Sequence, residues 1–319
     1  MKTEIMKEMY YDMLRIRMIE ERIAELYPEQ EMRCPVHLSI GQEAIAVGVC
    51  KALEQDDYVL SAHRSHAHYL AKGGNLKAML CELYGKACGC CAGKGGSMHL
   101  VDHSIGFYAV PIVGSTIPIG VGVALGFVMQ SKSQVAVPFF GDAATEEGVF
   151  YESLNFAALK KLPVLFVCEN NFYSVCSPLS VRQPAKRNLI KIVNGHGIEG
   201  RRCDGNNVLV VYEATRAAVE KARKGGGPTL LEFTTYRWRE HCGPNYDYHL
   251  GYRSESEFNK WKARDPIKRI AKKMKEHLIQ CEIEKMVAKI KSEIGDAFTF
   301  AKNAPYPDEA FLHQHLYAV

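Results

Sequence analysis

Long apolar runs are missing from this chain. No stretch reaches the eighteen or so consecutive apolar residues that a membrane-spanning helix requires. The opening MKTEIMKEMYYDML carries acidic residues and lacks the apolar core of a signal peptide, so secretion and organellar import are not expected. An excess of one charge is missing too. Forty Lys and Arg stand against 36 Asp and Glu, and the formal net charge of +4 is spread evenly. That balance excludes the dense basic surface of a nucleic-acid-binding protein and gives no reason to invoke a membrane surface. There is no repeat, low-complexity tract or linker, and a single domain over residues 1–319 is expected. A phosphate-binding P-loop is absent. Gly89 to Gly95 reads GCCAGKG, with three residues between Gly89 and Gly93, and Gly95 follows Lys94 where Ser or Thr is required. Eleven cysteines, an odd number without an export signal, point to free thiols in a reducing cytoplasm. Cys88, Cys90 and Cys91 cluster near Cys81 and His99, but C-x-C-C is poor spacing for tetrahedral zinc, so free thiols are the reading there as well.

Apolar residues make up 47% and charged residues 24%, ordinary usage for a chain able to bury a sizeable core. Residues 3–27 carry Met6, Met9, Met13, Ile16, Ile19, Ile23 and Leu26 at steps of three and four, the period of an amphipathic helix. A second helix is predicted over 42–53 and a short buried strand over 56–60. Residues 85–107 read as loop; their six glycines imply backbone packed against something, or mobility. Residues 114–130 form a small-residue helix suited to close packing within the chain or against another subunit. Strands over 135–140, 162–168, 198–203 and 229–235 then alternate with helices over 146–160 and 208–223. Continuous apolar strands separated by helices predict an α/β fold with a buried parallel sheet flanked by helices. Residues 254–300 read as charged and mostly helical.

One constellation carries chemistry. Gly141-Asp142 ends one strand and Asn170-Asn171 ends the next, with Asp142 and Asn171 29 positions apart, the length of one strand-helix-strand unit. Right-handed crossovers open both strand ends on the same crevice, where α/β proteins bind ligands. Taken singly, each dipeptide is more often a plain turn. Together they set a carboxylate and an amide oxygen side by side, a hard oxygen site suited to Mg²⁺ and hence to a phosphorylated ligand. A helix starting near Ala144 would aim its positive end at the same anion.

The stretch GDAATEEGVFYESLNFAALKKLPVLFVCENNFYSV closely resembles the thiamine diphosphate motif of the α subunits of 2-oxo acid dehydrogenase first components, pyruvate and acetoin dehydrogenases among them. MLRIRMIEERIAELY, HLSIGQEAIAVGV, GKGGSMHL, IVGSTIPIGVGVALG, CDGNNV, GGGPTLLEFTTYR and ARDPI follow in family order, so the resemblance covers almost the whole chain. It implies the thiamine diphosphate-binding fold, with an N-terminal helical arm and a C-terminal helical segment. It also implies Mg²⁺ ligands from the Asp142 and Asn171 side chains and the Tyr173 carbonyl, and diphosphate contacts from the Ala143 and Ala144 amides and from Arg64. Val113 matches the residue wedged between the cofactor rings. His241 matches a histidine on a mobile loop, and His66 a second histidine of the active-site side.

Some positions depart from the family pattern. Ala143 replaces a glycine, tolerable if its φ stays negative. His63, before the arginine, stands where the family often has tyrosine. Pro111 replaces a glycine, leaving a carbonyl but no amide donor. Cys242 takes the place of a phosphorylatable serine; a depressed pKa there, beside His241, would make it an oxidisable thiol. Residues 238–251 form an unusual loop, CGPNYDYH. The activity implied is oxidative: decarboxylation of a small 2-oxo acid, pyruvate in the first place, with the acyl group passed to a lipoyl acyltransferase. His241 is the candidate for proton transfer or charge stabilisation. An acyl or ketol transferase without a lipoyl partner and a non-catalytic metal-nucleotide or assembly subunit stand as rivals. No motif here supplies the acid that faces the cofactor's pyrimidine. The resemblance assigns it to a separate β subunit in an α₂β₂ heterotetramer, and the closing Leu316-Tyr317-Ala318-Val319 leaves no expectation of a fused β half.

Overall fold

The alternation of apolar strands and amphipathic helices predicts layers, and a computed structural model, which describes residues 3–274 and 279–314, shows how they stack. The closing tetrapeptide 316–319 lies outside the described residues. The strands are β1 (Tyr58–Ser61), β2 (Val101–Asp102), β3 (Phe107–Ala109), β4 (Ala136–Gly141), β5 (Leu165–Asn170), β6 (Tyr173–Ser174), β7 (Ser177–Pro178), β8 (Glu199–Asp204) and β9 (Thr229–Thr234). The helices are α1 (Thr3–Leu26), α2 (Glu43–Cys50), α3 (His66–Ala71), α4 (Leu76–Leu83), α5 (Thr116–Met129), α6 (Gly148–Lys160), α7 (Leu179–Arg182) and α8 (Leu189–Gly195), then α9 (Val208–Arg223), α10 (Glu255–Lys262), α11 (Pro266–Lys273) and α12 (Gln280–Asn303). Seven strands form one sheet in the order β2-β3-β1-β4-β5-β9-β8. Every pairing in it is parallel except β2 with β3.

Successive residues of a buried strand feed opposite cores. Along β4, Val137 and Phe139 join one apolar cluster while Ala136 and Phe140 join the other; along β5, Leu165 and Val167 oppose Phe166 and Cys168. The first cluster is shared with α1, α2, α4, α9 and α12, the second with α5, α6 and α8. Each fully buried phenylalanine contributes about 2–3 kcal/mol of burial, and truncating Phe139 to alanine would cost about 3–5 kcal/mol.

From β1 the chain moves outward to β3, then returns through α5 to β4 on β1's other side. The strand order therefore reverses between β1 and β4, and a crevice opens beyond their carboxyl ends.

Three local expectations are corrected. Residues 85–107 are not loop alone, because β2 and β3 lie within them. β3 has only three residues between turns, and what makes it a strand is its pairing with β1, Val59 opposite Phe107 and Ser61 opposite Ala109. No helix starts at Ala144. Asp142–Glu146 is a 3₁₀ turn, and α6 begins at Gly148. The strand expected over 56–60 is displaced to Tyr58–Ser61. The glycines of 85–107 are packed, not loose. The buried Glu82 carboxylate accepts hydrogen bonds from the amides of Cys91, Gly93, Gly95 and Gly96 at 2.6–3.0 Å. A β-carbon on Gly89 would lie 2.3 Å from that carboxylate.

Candidate active site

The residues after β1, β4 and β5 meet in one cavity of about 260 Å³. His63 and Arg64 follow β1, Asp142 to Ala144 follow β4, and Asn171 and Tyr173 follow β5; His241, Pro111 and Val113 complete the wall. Of the eleven site residues anticipated from sequence, only His66 is not on this wall.

Asp142 is buried, and burial pushes its carboxyl above the ordinary range against the pull of Arg182. The Arg182 guanidinium, from the short helix α7, pairs with Asp142 and Glu146 at once. The Asn171 amide is oriented by two bonds: its nitrogen donates to Gln42 at 3.1 Å and its oxygen accepts from the Tyr173 amide at 3.2 Å. Between them Phe172 takes a left-handed φ of 71°, and Val175 one of 53°. Such residues cost about 1–2 kcal/mol each, and here they fold the chain sharply back over the end of β5. Asp142 carboxylate, Asn171 amide and Tyr173 carbonyl are all hard oxygen donors of the kind Mg²⁺ selects. The donor set fits that ion, with Arg182 supplying positive charge to Asp142 in this structure. Ala143 and Ala144 occupy the first turn, where amides have no helical acceptor. Neither has a positive φ, so the β-carbon at Ala143 is accommodated.

Arg64 lines the same cavity as these oxygen donors, from the β1 side. It is 7% exposed, and its guanidinium donates to the carbonyls of Leu38 at 2.6 Å and His241 at 3.2 Å. Among the described residues, no carboxylate lies within ion-pair distance of it. Burial, then the charge of Arg237, lowers its pKa to about 10. A buried cation held only by carbonyls is costly unless an anion joins it.

The loop carrying His241 is fastened down. Trp238 and Gly243 donate to the carbonyls of Ile40 and Val36 at 3.0 and 2.8 Å. Behind it, Asp247 is buried between Arg237 and Arg253. Burial and the Arg64 charge hold the His241 pKa at about 3, so its imidazole is neutral. Cys242 is not a low-pKa thiol. Partial burial and the Glu240 carboxylate push it up, which corrects the expectation of an oxidation-prone thiolate.

His66 is fully buried, its Nε2 2.7 Å from the Ser97 hydroxyl and its Nδ1 3.4 Å from Glu20. Its neighbour His68 does line the cavity, with Nδ1 2.7 Å from the Ser61 hydroxyl and Nε2 3.3 Å from Glu169, also on the wall. Glu169 and His68 were not assigned from sequence. The available signal was the alternation of β5, which turns Glu169 to the cavity and Asn170 away toward Glu232.

Residues 11–310 match the family described as dehydrogenase E1 component. The α subunit of acetoin:2,6-dichlorophenolindophenol oxidoreductase from Bacillus subtilis is 36% identical over 315 residues, covering 97% of this chain and 92% of that protein. The pyruvate dehydrogenase E1 component α subunit of Rickettsia felis is 35% identical, covering 99% and 96%. The chloroplastic α-3 subunit of Arabidopsis thaliana pyruvate dehydrogenase E1 is 37% identical, covering 98% and 74%. This family is thiamine diphosphate-dependent. With a matched region this long, the chain belongs to the dehydrogenase E1 component family as an α subunit.

Proposed function

We propose that this chain is the α half of a heteromeric 2-oxo acid dehydrogenase. It decarboxylates pyruvate in the first place and hands the acyl group to a lipoyl acceptor. The observation that carries the reading is Arg64, a buried guanidinium that has no carboxylate partner among the described residues and lines the same cavity as Asp142 and Asn171. A diphosphate together with Mg²⁺ would satisfy both sides at once. Asp142, Asn171 and the Tyr173 carbonyl would hold the metal, while Arg64 and the Ala143 and Ala144 amides hold phosphate oxygens. Bound there, thiamine diphosphate would supply the electron sink for loss of carbon dioxide.

The chain's own residues bind, orient and move protons. Val113, 47% exposed on the cavity wall, would pack against the rings of the bound cofactor. Neutral His241 can donate one hydrogen bond to developing negative charge or accept a proton. His66, buried against Ser97 and Glu20, acts as a positioning residue beneath the Arg64 segment. The relatives described as pyruvate dehydrogenase α subunits support pyruvate as substrate.

A β subunit is supported by what α5 leaves bare. Gly120 packs on Pro138, whereas Gly122 and Gly126 have nothing near an added β-carbon, and Ile119, Val128 and Met129 are exposed. Ile119, Gly122, Gly126 and Met129 share one helical face. An α₂β₂ assembly covering it would also bring the pyrimidine-facing acid.

Co-purified α and β chains, loaded with thiamine diphosphate and Mg²⁺, are to be assayed on a panel of 2-oxo acids with lipoamide as acceptor. Pyruvate turnover by the pair and none by the α chain alone is expected. Decarboxylation of no 2-oxo acid, or robust turnover by the α chain alone, would overturn the reading.

A further inference from the structure

Three imidazoles converge on the cavity wall, and the reaction proposed above uses one of them. His37 comes from the segment before α2, His63 from the end of β1 and His241 from the loop after β9. Their ring centroids lie 4.8, 5.0 and 5.2 Å apart, close to an equilateral triangle. One ring nitrogen from each lies within 4.8 Å of the other two. Among the described residues, no hydrogen bond engages a ring nitrogen of any of the three, and the Nδ1 of His37, a residue only 6% exposed, is buried without a partner. Buried polar atoms rarely stay unpartnered, so this arrangement calls for a ligand.

We propose that His37, His63 and His241 form a three-histidine site for a divalent borderline metal ion, Zn²⁺ in the first place. It is separate from the oxygen-lined site at Asp142 and Asn171. Tetrahedral zinc holds nitrogens at about 2.0–2.1 Å, which puts them roughly 3.3 Å apart, so ring rotations of about an ångström close the shell. Imidazole donors select zinc, copper or nickel over Mg²⁺, and the two metals sort by ligand chemistry. Neutral imidazole is the ligating form, and burial, ahead of the Arg64 charge, disfavours protonation of His37 and His241. His63 is what completes the trio; with tyrosine there, two histidines remain. The fourth coordination position opens on the cavity. An ion seated there clamps the 238–251 loop to the segments carrying His37 and His63, and it occupies the nitrogen that His241 would use in turnover. Zn²⁺ therefore inhibits. This consequence rests on the proposed reaction, whereas the metal site itself does not.

Titration of the full, cofactor-free chain with Co²⁺, followed by visible spectroscopy, tests the site. One equivalent should give the ligand-field bands of nitrogen-ligated cobalt with no thiolate charge-transfer band, and Zn²⁺ should displace it. His63→Gln and His37→Gln should each weaken binding by roughly a hundredfold or more, since loss of even an outer-shell partner costs about 10–100-fold. Circular dichroism checks that each variant folds, and either variant suffices. Asp142→Asn should bind Co²⁺ as the parent does. A thiolate band, which would point to Cys90 and Cys91, overturns the site. So does binding unchanged in a folded histidine variant, binding lost in Asp142→Asn, or no binding at all. Zn²⁺ that binds the α–β enzyme at this site without slowing turnover, under excess Mg²⁺, would overturn the inhibition alone.

Discussion

Replacing Arg64 with methionine separates the cost of a binding residue from its use. In the fold, the Arg64 pKa is lowered from 12.5 to about 10. At 1.36 kcal/mol per unit, that depression corresponds to about 3 kcal/mol of penalty on the charged side chain in the cofactor-free protein. The sign follows: a base whose folded pKa lies below its unfolded value is less stable folded wherever the unfolded chain keeps the proton. Methionine fills similar volume without charge. It forfeits the bonds to the Leu38 and His241 carbonyls, worth about 1.5–3 kcal/mol each when charge-assisted; of the two residues only His241 lines the cavity, while Leu38 is fully buried. Together the two bonds are worth about 3–6 kcal/mol against about 3 kcal/mol of relieved penalty, so Arg64→Met should leave the melting temperature of the cofactor-free protein unchanged or lower it by several degrees at most. Binding behaves differently. Losing a guanidinium from a buried phosphate contact costs about 2–5 kcal/mol, and 3 kcal/mol is a factor of roughly 150 in Kd. Calorimetric titration with thiamine diphosphate and Mg²⁺, beside melting curves with and without cofactor, measures both quantities. A Kd within threefold of the parent, or equal destabilisation of free and loaded protein, would refute the reasoning.

Four further outcomes are expected. Asp142→Ala should abolish, and Asn171→Ala weaken, Mg²⁺-dependent cofactor binding while the fold survives; unchanged affinity in both removes the metal assignment. Arg182→Gln should raise the apparent Mg²⁺ affinity by freeing the Asp142 carboxylate, and a fall would mean that Arg182 itself carries phosphate. His241→Ala should lower kcat by roughly a hundredfold at saturating cofactor, whereas a change confined to KM assigns it to anchoring. Stability should fall with acid. His37, His63 and His241 have folded pKa values of about 2, 4 and 3 against an ordinary 6.5, so the unfolded chain takes up protons the fold refuses. The urea midpoint is then full above about pH 6.5 and drops as pH falls toward 4; an equal midpoint at pH 7 and pH 5 would contradict this.

What the sequence by itself determined is local and periodic. The spacing of Met9, Met13, Ile16, Ile19 and Ile23 specifies the buried stripe of α1, because helical period and side-chain hydrophobicity need no outside reference. Continuous apolar runs specified β4, β5 and β9 for the same reason. The 29-residue separation of Asp142 and Asn171 determined a shared crevice, since crossovers have one hand. Tertiary structure alone decided the rest. β3 is a strand because β1 lies beside it, and a three-residue segment carries no period of its own. Glu82 organises the glycine loop through amides 9 to 14 residues away, a pairing invisible to pattern. Arg182 reaches Asp142 across 40 positions, and Arg64 meets the His241 carbonyl across 177. His37, His63 and His241 belong to separate segments, each unremarkable alone. Sheet order sets such distances, and it follows from which apolar faces can be buried together across the whole chain, a global condition that no local stretch encodes.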